Sequence, residues 1–141
     1  MARDSKLDHL GQVRLFSACN KKELGLIGKA SDEVSVPAGK EIVTQGSTGH
    51  EFFLILSGEA AVKRSGRKVN TLSAGDYFGE LALLSKGERN ASVVAETDMD
   101  LLVLGQREFS GVLDEVPGLA HKLLVSMANR LREMDAKAVS H

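Results

Sequence analysis

Residues 51–72 read EFFLILSGEAAVKRSGRKVNTL, near the middle of the chain. It contains three short runs with apolar residues, separated by the dipeptides Ser57-Gly58 and Ser65-Gly66. Glycine adopts the positive φ angles that tight turns require at no steric cost. The stretch therefore predicts three consecutive β-strands joined by short turns.

The same pattern of glycines extends to both sides of this stretch. The chain has 14 glycines and only two prolines, and most of the glycines fall at short intervals between Gly39 and Gly87. Short strands separated in this way favour a sandwich or jelly roll, in which two sheets fold together. The eight predicted strands are Glu33–Val36, Glu41–Thr44, Glu51–Leu56, Glu59–Arg64, Arg67–Leu72, Asp76–Phe78, Ala91–Ala95 and Asp100–Leu104.

Helices are predicted on both sides of the strands. Asn20 followed by Glu23 has the form of an N-cap with a capping box, which begins a helix that runs to about Ala30. The range Gln106–Asp114 predicts a second helix, and Pro117–Ala138 predicts a long third helix with its proline in the first turn. The predicted fold class is therefore mainly β with flanking α: an eight-stranded antiparallel β jelly roll (double-stranded β-helix) with N-terminal helices and a long C-terminal helix.

The long C-terminal helix carries an apolar seam with heptad spacing. Such a seam is typical of a narrow contact between helices. Two interpretations remain open, because the seam could pack on the barrel or could join two copies of the chain in a homodimer. The seam residues are Ala120, Leu124, Met127, Leu131, Met134 and Ala138.

Length sets the domain count. At 141 residues the chain is long enough for one domain and too short for two domains with a linker. We therefore predict a single domain over residues 1–141, with a helical N-terminal part at 1–31, a jelly roll at 32–105 and C-terminal helices at 106–138.

Composition excludes several classes of protein. Hydrophobic residues make up 43% of the chain and charged residues 26%, which is typical of a folded globular domain and not of a disordered or membrane-spanning chain. A net charge of −1 removes the basic excess that gives proteins non-specific affinity for nucleic acid. One cysteine, Cys19, and a polar start without the apolar core of a signal peptide predict a cytoplasmic location.

The segment that carries chemistry is FGELALL at 78–84, followed shortly by Arg89. A strand that ends at Phe78 and a short run of helix formers predict a one-turn helix, whose first amides point outward as donors. Gly79 lacks the side chain that would keep an anion away from those amides. Glu80 can accept a hydrogen bond from a hydroxyl group, and Arg89 can fork onto two phosphate oxygens. This combination suits a ribose phosphate, although Glu80 alone could merely favour a helix N-terminus.

Further motifs on either side make the pattern specific. They are IVTQG at 42–46, FFLI at 52–55 with the following Gly58, GDYFGE at 75–80, and Arg89 with Ala91. With these motifs the sequence resembles the cyclic nucleotide-binding domain family over roughly residues 15–134. That family includes protein kinase A regulatory subunits, cyclic nucleotide-gated channels and bacterial catabolite-activator regulators.

The resemblance implies a cyclic nucleotide-binding regulatory module in a β jelly roll. Glu80 would accept the ribose 2′-hydroxyl, Arg89 would pair with the cyclic phosphate, and the C-terminal helix would move on binding, with Met134 as a candidate lid over the base. The alternative is an interaction module that keeps the scaffold and dimerises without binding nucleotide. The implied ligand-binding residues are Gly79, Glu80, Leu81, Ala82, Arg89, Asn90 and Ala91.

Two positions depart from the family pattern and bear on the ligand. Asn90 stands where cyclic-GMP-selective members have Thr, which favours cyclic AMP over cyclic GMP as the ligand. Glu88 replaces a common Pro and places a negative charge beside the anion site, which should weaken binding slightly.

Other function classes have little support in the sequence. The four histidines, at positions 9, 50, 121 and 141, are isolated, so no metal site is predicted, and Cys19 is expected to be a small buried hydrophobe and not a nucleophile. We therefore expect that the protein is not an enzyme and that it carries no cofactor. Aromatic residues make up only 4% of the chain, and it ends at His141 before any helix-turn-helix, so direct nucleic-acid binding is not expected. No membrane span is predicted either.

Overall fold

The strands form two packed antiparallel sheets. A computed structural model describes residues 2–85 and 87–139 of the chain, and the side chains of 6–85 and 87–135. The eight predicted strands are all present and build two four-stranded sheets, so the predicted jelly roll with flanking helices is confirmed. In chain order the strands are β1 (Asp32–Val36), β2 (Glu41–Val43), β3 (Thr48–Gly49), β4 (Glu51–Ser57), β5 (Ala60–Arg64), β6 (Arg67–Leu72), β7 (Tyr77–Phe78), β8 (Gly87–Glu88), β9 (Ser92–Ala95) and β10 (Met99–Gly105).

The first sheet has the strand order β1-β10-β4-β7, and the second has the order β2-β9-β5-β6. Strand β4 lies inside the first sheet, where Phe53 pairs with Val103 of β10 on one side and with Phe78 of β7 on the other. Its residues 52–55 are all buried, since strands inside a sheet that is covered on both faces read as continuous apolar runs. Residues 51–72 therefore supply strands to both sheets.

Two further strands were missed by the sequence analysis. β3 and β8 are two residues long each, and they pair with each other through Thr48 with Glu88 and Gly49 with Gly87. Neither has the alternation or the apolar run that marks a strand, because so short a pairing depends on the two loops being brought together by the rest of the fold. This ribbon brings the loop after β2 next to Arg89.

The helices pack on one face of the first sheet, against Phe52, Leu54, Leu102 and Leu104. They are α1 (Ala2–Gly11), a 3-10 helix at Arg14–Phe16, α2 (Lys21–Lys29), a second 3-10 helix at Glu80–Leu83, α3 (Gln106–Glu115) and α4 (Leu119–Val139). The predicted capping box of α2 is present: the Asn20 side chain accepts from the Glu23 amide at 2.9 Å, and the Glu23 carboxylate accepts from the Asn20 amide at 2.8 Å.

The long C-terminal helix begins two residues later than predicted. The prediction placed Pro117 in its first turn, but α4 starts at Leu119. Gly118 has a φ of +96°, a left-handed conformation that cannot belong to a right-handed helix. The tight connection from α3 therefore uses both the proline and the glycine, and the helix follows them.

One face of α4 packs on the body of the protein. Leu119 and Leu123 are buried in the same core cluster as Phe16 and Phe109, and Met127 packs against that cluster. Lys122 adds an ion pair to α2, with its Nζ 2.6 Å from Glu23 Oε1. The Lys122 ammonium and the Asn20 amide together hold the pKa of the Glu23 carboxyl below its ordinary value.

The predicted heptad seam lies mostly on the other face of α4. Ala120 is exposed, and the exposed fractions of Leu124, Leu131 and Met134 are 68%, 59% and 59%. Met127 alone of the described seam residues packs on the core, while the side chain of Ala138 lies outside the described residues. Packing on the barrel, one of the two interpretations of the seam, is therefore wrong for most of its residues.

Across the described ranges 2–85 and 87–139, none of the helices combines the length and the apolar character that a membrane crossing requires.

We predict that two glycines with the same backbone conformation differ in their tolerance of alanine. Gly58 (φ +92°) and Gly39 (φ +91°) both lie in turns, but a Cβ on Gly58 would meet the Asp98 carbonyl oxygen and lie 2.8 Å from Met99 Cγ, whereas nothing lies within 4 Å of one on Gly39. The left-handed conformation costs about 1–2 kcal/mol for alanine, and overpacking adds about 1–3 kcal/mol. Gly58→Ala should therefore lower the free energy of unfolding by about 3 kcal/mol and Gly39→Ala by about 1 kcal/mol. Urea denaturation measures both, and equal losses would contradict the packing argument.

Candidate functional site

A cavity of about 460 Å³ lies between the second sheet and the segment 78–91. This volume is within the range of about 300–1,000 Å³ that is usual for pockets that bind small molecules. One wall is apolar and rigid, and the opposite side carries the polar groups. The lining residues come from β2, β5 and β9, from the segment 78–91, from Gly49 of β3 and from Arg130 of α4.

Three valines from neighbouring strands form the apolar wall. Val43 of β2 and Val62 of β5 are both directly opposite Val93 of β9, so the three side chains form one row across the sheet. Side chains that are in register on adjacent strands point to the same face. The row therefore offers a flat apolar surface to whatever occupies the cavity.

The opposite side of the cavity begins at Gly79, as the sequence predicted. Gly79 has a φ of +79° and precedes the 3-10 helix Glu80–Leu83. The amides of Glu80 and Leu81 open this helix and have no partner within it. The amide of Ala82 is not available in the same way, because it donates to the Gly79 carbonyl at 3.0 Å.

Glu80 is a buried carboxylate at the end of the cavity that faces α4. Its exposed fraction is 8%, and its Oε1 accepts from Arg130 Nη1 at 2.5 Å. Its Oε2 is buried and has no hydrogen-bond partner among the described residues. A buried charged oxygen without a donor is costly, so this atom is a strong acceptor site within the cavity.

Arg89 is held at the other side by contacts to the backbone and to an aromatic ring. Its Nη2 donates to the Glu51 carbonyl oxygen at 2.8 Å, and its guanidinium carbon lies 5.8 Å from the centre of the Phe53 ring. Phe53 is itself fixed by stacking on Phe78, with ring centres 4.8 Å apart and planes 14° apart. One hydrogen bond occupies only one of the five N–H donors of an arginine, so most of its donors remain for a ligand.

Two glycines leave the space that the guanidinium fills. A Cβ on Gly49 would meet Arg89 Nε, and a Cβ on Gly79 would lie 2.5 Å from Arg89 Nη1 and 2.6 Å from the Glu51 carbonyl oxygen. The sequence analysis explained Gly79 by the approach of an anion to the helix amides. In the structure the space beside Gly79 belongs to Arg89, so the glycine is needed for the guanidinium.

The electrostatics of the Arg89 site favour an anion. Burial lowers the pKa of the Arg89 guanidinium from its ordinary value, and the nearby Glu51 carboxylate opposes this effect. Arginine nevertheless stays protonated in proteins, so the cavity holds a partly desolvated positive charge. Its direct hydrogen-bond partner is a neutral carbonyl group, which compensates that charge less well than an anion would.

All seven residues assigned to ligand binding in the sequence analysis line this one cavity. Asn90 is exposed at its edge and Ala91 is buried beneath it. Met134, the candidate lid, does not line the cavity and is 59% exposed in this structure.

The sequence did not reveal the valine wall, nor two residues on the polar side of the site, Arg130 and Gly49. Arg130 follows Leu119, Leu123 and Met127 on the packed face of α4, and a charged residue at such a position was a signal that could have pointed to a buried partner. Gly49 had no comparable signal, because its role depends on Arg89, which is 40 positions later in the chain.

The other reactive residues lie elsewhere. Cys19 is partly buried against the core, and burial together with Glu23 raises the pKa of its thiol to about 11, so it is protonated near neutral pH. No group of three His, Cys, Asp or Glu side chains suited to a metal ion occurs within the part of the chain that the structure describes. His141 lies outside the described residues.

Comparison with known proteins identifies relatives with a similar sequence and fold. The chain is 35% identical over 127 residues to a cAMP-dependent protein kinase regulatory subunit of Hypocrea atroviridis, which covers 89% of this chain and 28% of that protein. It is 38% identical over 126 residues to the cyclic AMP receptor protein of Thermus thermophilus, covering 86% of this chain and 58% of that protein. The chain therefore spans between about a quarter and three fifths of the length of these two relatives.

A solved structure and a family match agree with these relatives. The N-terminal domain of a transcriptional regulator from Streptomyces coelicolor A3(2) superposes with a TM-score of 0.86 at 27% identity, covering 92% of this chain and 96% of that one. Residues 33–116 match the cyclic nucleotide-binding domain, a range that contains the valine wall, Glu80 and Arg89. The chain belongs to the cyclic nucleotide-binding domain family.

Proposed function

We propose that the cavity binds a cyclic nucleotide, with cyclic AMP preferred to cyclic GMP, and that binding is coupled to the position of α4. The observation that carries this proposal is the pairing of two groups in one cavity of about 460 Å³. One is the buried Glu80 carboxylate, with Oε2 unpartnered among the described residues, and the other is the partly desolvated guanidinium of Arg89. A ribose cyclic phosphate carries a hydroxyl donor and an anion on one rigid unit.

Arg89 is proposed to bind the cyclic phosphate. Its guanidinium is fixed by the Glu51 carbonyl and by the Phe53 ring, so little conformational freedom is lost when the anion binds. The opening amides of the Glu80–Leu83 helix add donors for the same anion. The phosphate would add an ion pair to a guanidinium whose direct hydrogen-bond partner is a neutral carbonyl group.

Glu80 is proposed to accept the 2′-hydroxyl of the ribose through Oε2. This acceptor lies beside the Arg130 contact, so a sugar bound there would also be next to α4. The valine wall would cover the apolar surface of the ligand. An empty interaction module, the alternative function, gives no reason to bury a carboxylate with an unpartnered oxygen.

The preference for cyclic AMP rests on two observations. Asn90 replaces the threonine of cyclic-GMP-selective members, and the two relatives described above are named for cyclic AMP. Calorimetric titration of the wild-type protein with each nucleotide tests both the proposal and the preference. Failure to bind either nucleotide would favour the non-binding interaction module.

The coupling to α4 is proposed to run through the Arg130–Glu80 ion pair. A ligand shifts a helix only by binding one of its positions more tightly than the other. Arg130 is the residue by which α4 lines the cavity, and it holds the same carboxylate that the ribose would contact. Ligand occupancy and helix position would therefore depend on each other at Glu80.

The proposal extends to the whole chain in two respects. We infer that residues 1–141 form one domain, with the helical parts 1–31 and 106–138 on either side of the jelly roll. We infer a cytoplasmic location from the single cysteine.

Loss of the Arg89 guanidinium should weaken cyclic AMP binding severely. Removing one partner of a desolvated charged pair costs about 2–5 kcal/mol, so Arg89→Ala should weaken binding by about 30-fold or more. Arg89→Lys should also bind poorly, because an ammonium group cannot reproduce the planar fork. Calorimetry measures both affinities.

The matched control for these variants is Arg107→Ala, which removes an exposed arginine that does not line this cavity. It should bind cyclic AMP as the wild type does. Circular dichroism and thermal unfolding identify any variant that has lost its fold. Wild-type affinity in a folded Arg89→Ala protein would disprove the assignment of the phosphate to Arg89.

Removal of Arg130 should release α4 from the site. The pair is worth about 1 kcal/mol, because Glu80 is buried but the Arg130 side chain is 35% exposed. Amide hydrogen exchange over residues 123–134 should therefore be about five-fold faster in ligand-free Arg130→Ala than in the wild type. Saturating cyclic AMP should change this exchange in the wild type and much less in the variant.

The control is Arg132→Ala, which removes an exposed arginine two residues further along the same helix. It should leave both the exchange rates and their response to ligand unchanged. If ligand altered the exchange of residues 123–134 equally in Arg130→Ala and the wild type, the ion pair would not be the route of coupling.

We also propose that the exposed seam of α4 joins two copies of this chain. Its residues Ala120, Leu124, Leu131 and Met134 repeat with the 3.5-residue period of a two-helix contact and face away from the core. An isolated apolar residue on a surface needs no explanation, but an aligned stripe of this spacing does. A parallel stripe on a second copy would cover it.

The double substitution Leu124→Glu with Leu131→Glu should convert a dimer to a monomer in sedimentation equilibrium, because four carboxylates would meet in the seam. The control Val69→Glu changes an apolar residue of 54% exposure on β6 and should leave the oligomeric state unchanged. A wild-type protein that is monomeric at high micromolar concentration would contradict this proposal and leave nucleotide binding unaffected.

A further inference from the structure

The hairpin of β5 and β6 places like charges directly opposite each other. In its register Lys63 pairs with Lys68, and Arg64 pairs with Arg67. The turn between them, Ser65-Gly66, has φ angles of +52° and +81°, typical of the tight two-residue turns of hairpins. Four cations therefore lie within six consecutive residues at the tip.

By themselves, these two pairs of like charges lower the stability of the fold. Like charges directly opposite on neighbouring strands destabilise a sheet. Lys68 is compensated by Glu96, with Nζ to Oε2 at 2.9 Å. Among the described residues, Lys63, Arg64 and Arg67 make no ion pair with a carboxylate, so the repulsion of the two arginines is not relieved.

Protection of a sheet edge explains only half of these charges. β6 is the edge strand of the second sheet, and charged residues on an edge discourage pairing with another chain. This accounts for Arg67 and Lys68. It does not account for Lys63 and Arg64, because β5 is paired on both sides, with β6 and with β9.

The two arginines lie on the face of the sheet that carries the valine wall. Val62 lines the cavity, and Arg64 is two residues further along β5, so both belong to the same face. β5 keeps a regular register with β9 from Ala60 to Lys63, and the irregularity in the hairpin leaves Val69 as the extra residue of β6. Arg67, opposite Arg64, shares that face.

The tip of the hairpin is also fixed to the loop that carries Arg89. The amide of Ser65 donates to the Gln45 side-chain oxygen at 2.8 Å. The next residue, Gly46, donates its amide to the Arg89 carbonyl at 2.8 Å. The turn between the two arginines is therefore joined through residues 45 and 46 to the segment that carries Arg89.

The charges of the described side chains that line the cavity cancel. Two of these side chains are carboxylates, Glu80 and Glu88, and two are guanidiniums, Arg89 and Arg130. The whole chain has a net charge of −1. Positive charge beside the cavity would therefore add to the attraction that an anionic ligand meets as it approaches from solution.

We propose that Arg64 and Arg67 form a basic collar beside the cavity that attracts the anionic ligand and raises its rate of association. This inference rests on the proposed binding of a cyclic nucleotide. Local charge of this kind acts on diffusional encounter and affects association more than dissociation. It is screened by salt, since the Debye length falls from about 30 Å at 0.01 M to about 3 Å at 1 M ionic strength.

Stopped-flow measurement with a fluorescently labelled cyclic AMP tests the collar. In the double variant Arg64→Ser with Arg67→Ser, the association rate constant at 10 mM ionic strength should fall about three-fold or more, while the dissociation rate constant changes less than two-fold. At 0.5 M salt the variant and the wild type should associate equally fast. The single variant Arg64→Ser keeps both charges of the edge strand. If the double variant aggregates, the single variant should still show part of the fall in the association rate constant.

The matched control is Lys21→Ser with Lys22→Ser, which removes two exposed cations from α2 and changes the net charge equally. It should associate at the wild-type rate. The collar proposal would be wrong if the collar variant had the wild-type association rate constant at low salt, or if the control lost as much of that rate constant. Either result would leave the proposed function unaffected. A wild-type protein that does not bind the labelled nucleotide would overturn both.

Discussion

The guanidinium of Arg89 is the group on which the rest of the site depends. It lies partly desolvated between Gly49 and Gly79, donates to the Glu51 carbonyl, and rests against the Phe53 ring. A cation in such a place has lost part of its hydration and has not gained a full counter-charge. Strand β3 contributes Gly49 to the surroundings of this side chain, and β4 contributes the Glu51 carbonyl and the Phe53 ring.

This constraint explains features that are otherwise unrelated. Gly49 and Gly79 are far apart in the sequence, but each leaves the room that one nitrogen of the guanidinium needs. The stacking of Phe53 on Phe78 fixes the ring under the cation and also joins β4 to β7. The two-residue ribbon of β3 and β8 brings Gly49 to the cavity. Each of these elements is small, and together they fix one side chain.

The cavity has one rigid side and one side that belongs to a helix. The valine row lies in the middle of a sheet, whereas Arg130 belongs to a helix that reaches the site through one ion pair with Glu80. Lys122 with Glu23, and Arg14 with Glu133 at 3.1 Å, attach the same helix to the N-terminal helical part. Because these contacts are ionic and partly exposed, they can exchange at modest cost, unlike the apolar packing of Leu119 and Leu123.

The sequence by itself determined the features that depend on local chemistry. Glycine turns and short apolar runs indicated eight of the ten described strands, the capping box fixed the start of α2, and GELA with Arg89 pointed to residues that line one cavity. Tertiary structure alone decided the role of Gly49 and the meeting of Arg130 with Glu80. The reason is distance along the chain: a turn or a cap is set by residues within four positions, whereas Arg130 and Glu80 are 50 positions apart and meet only once helix and sheet have packed.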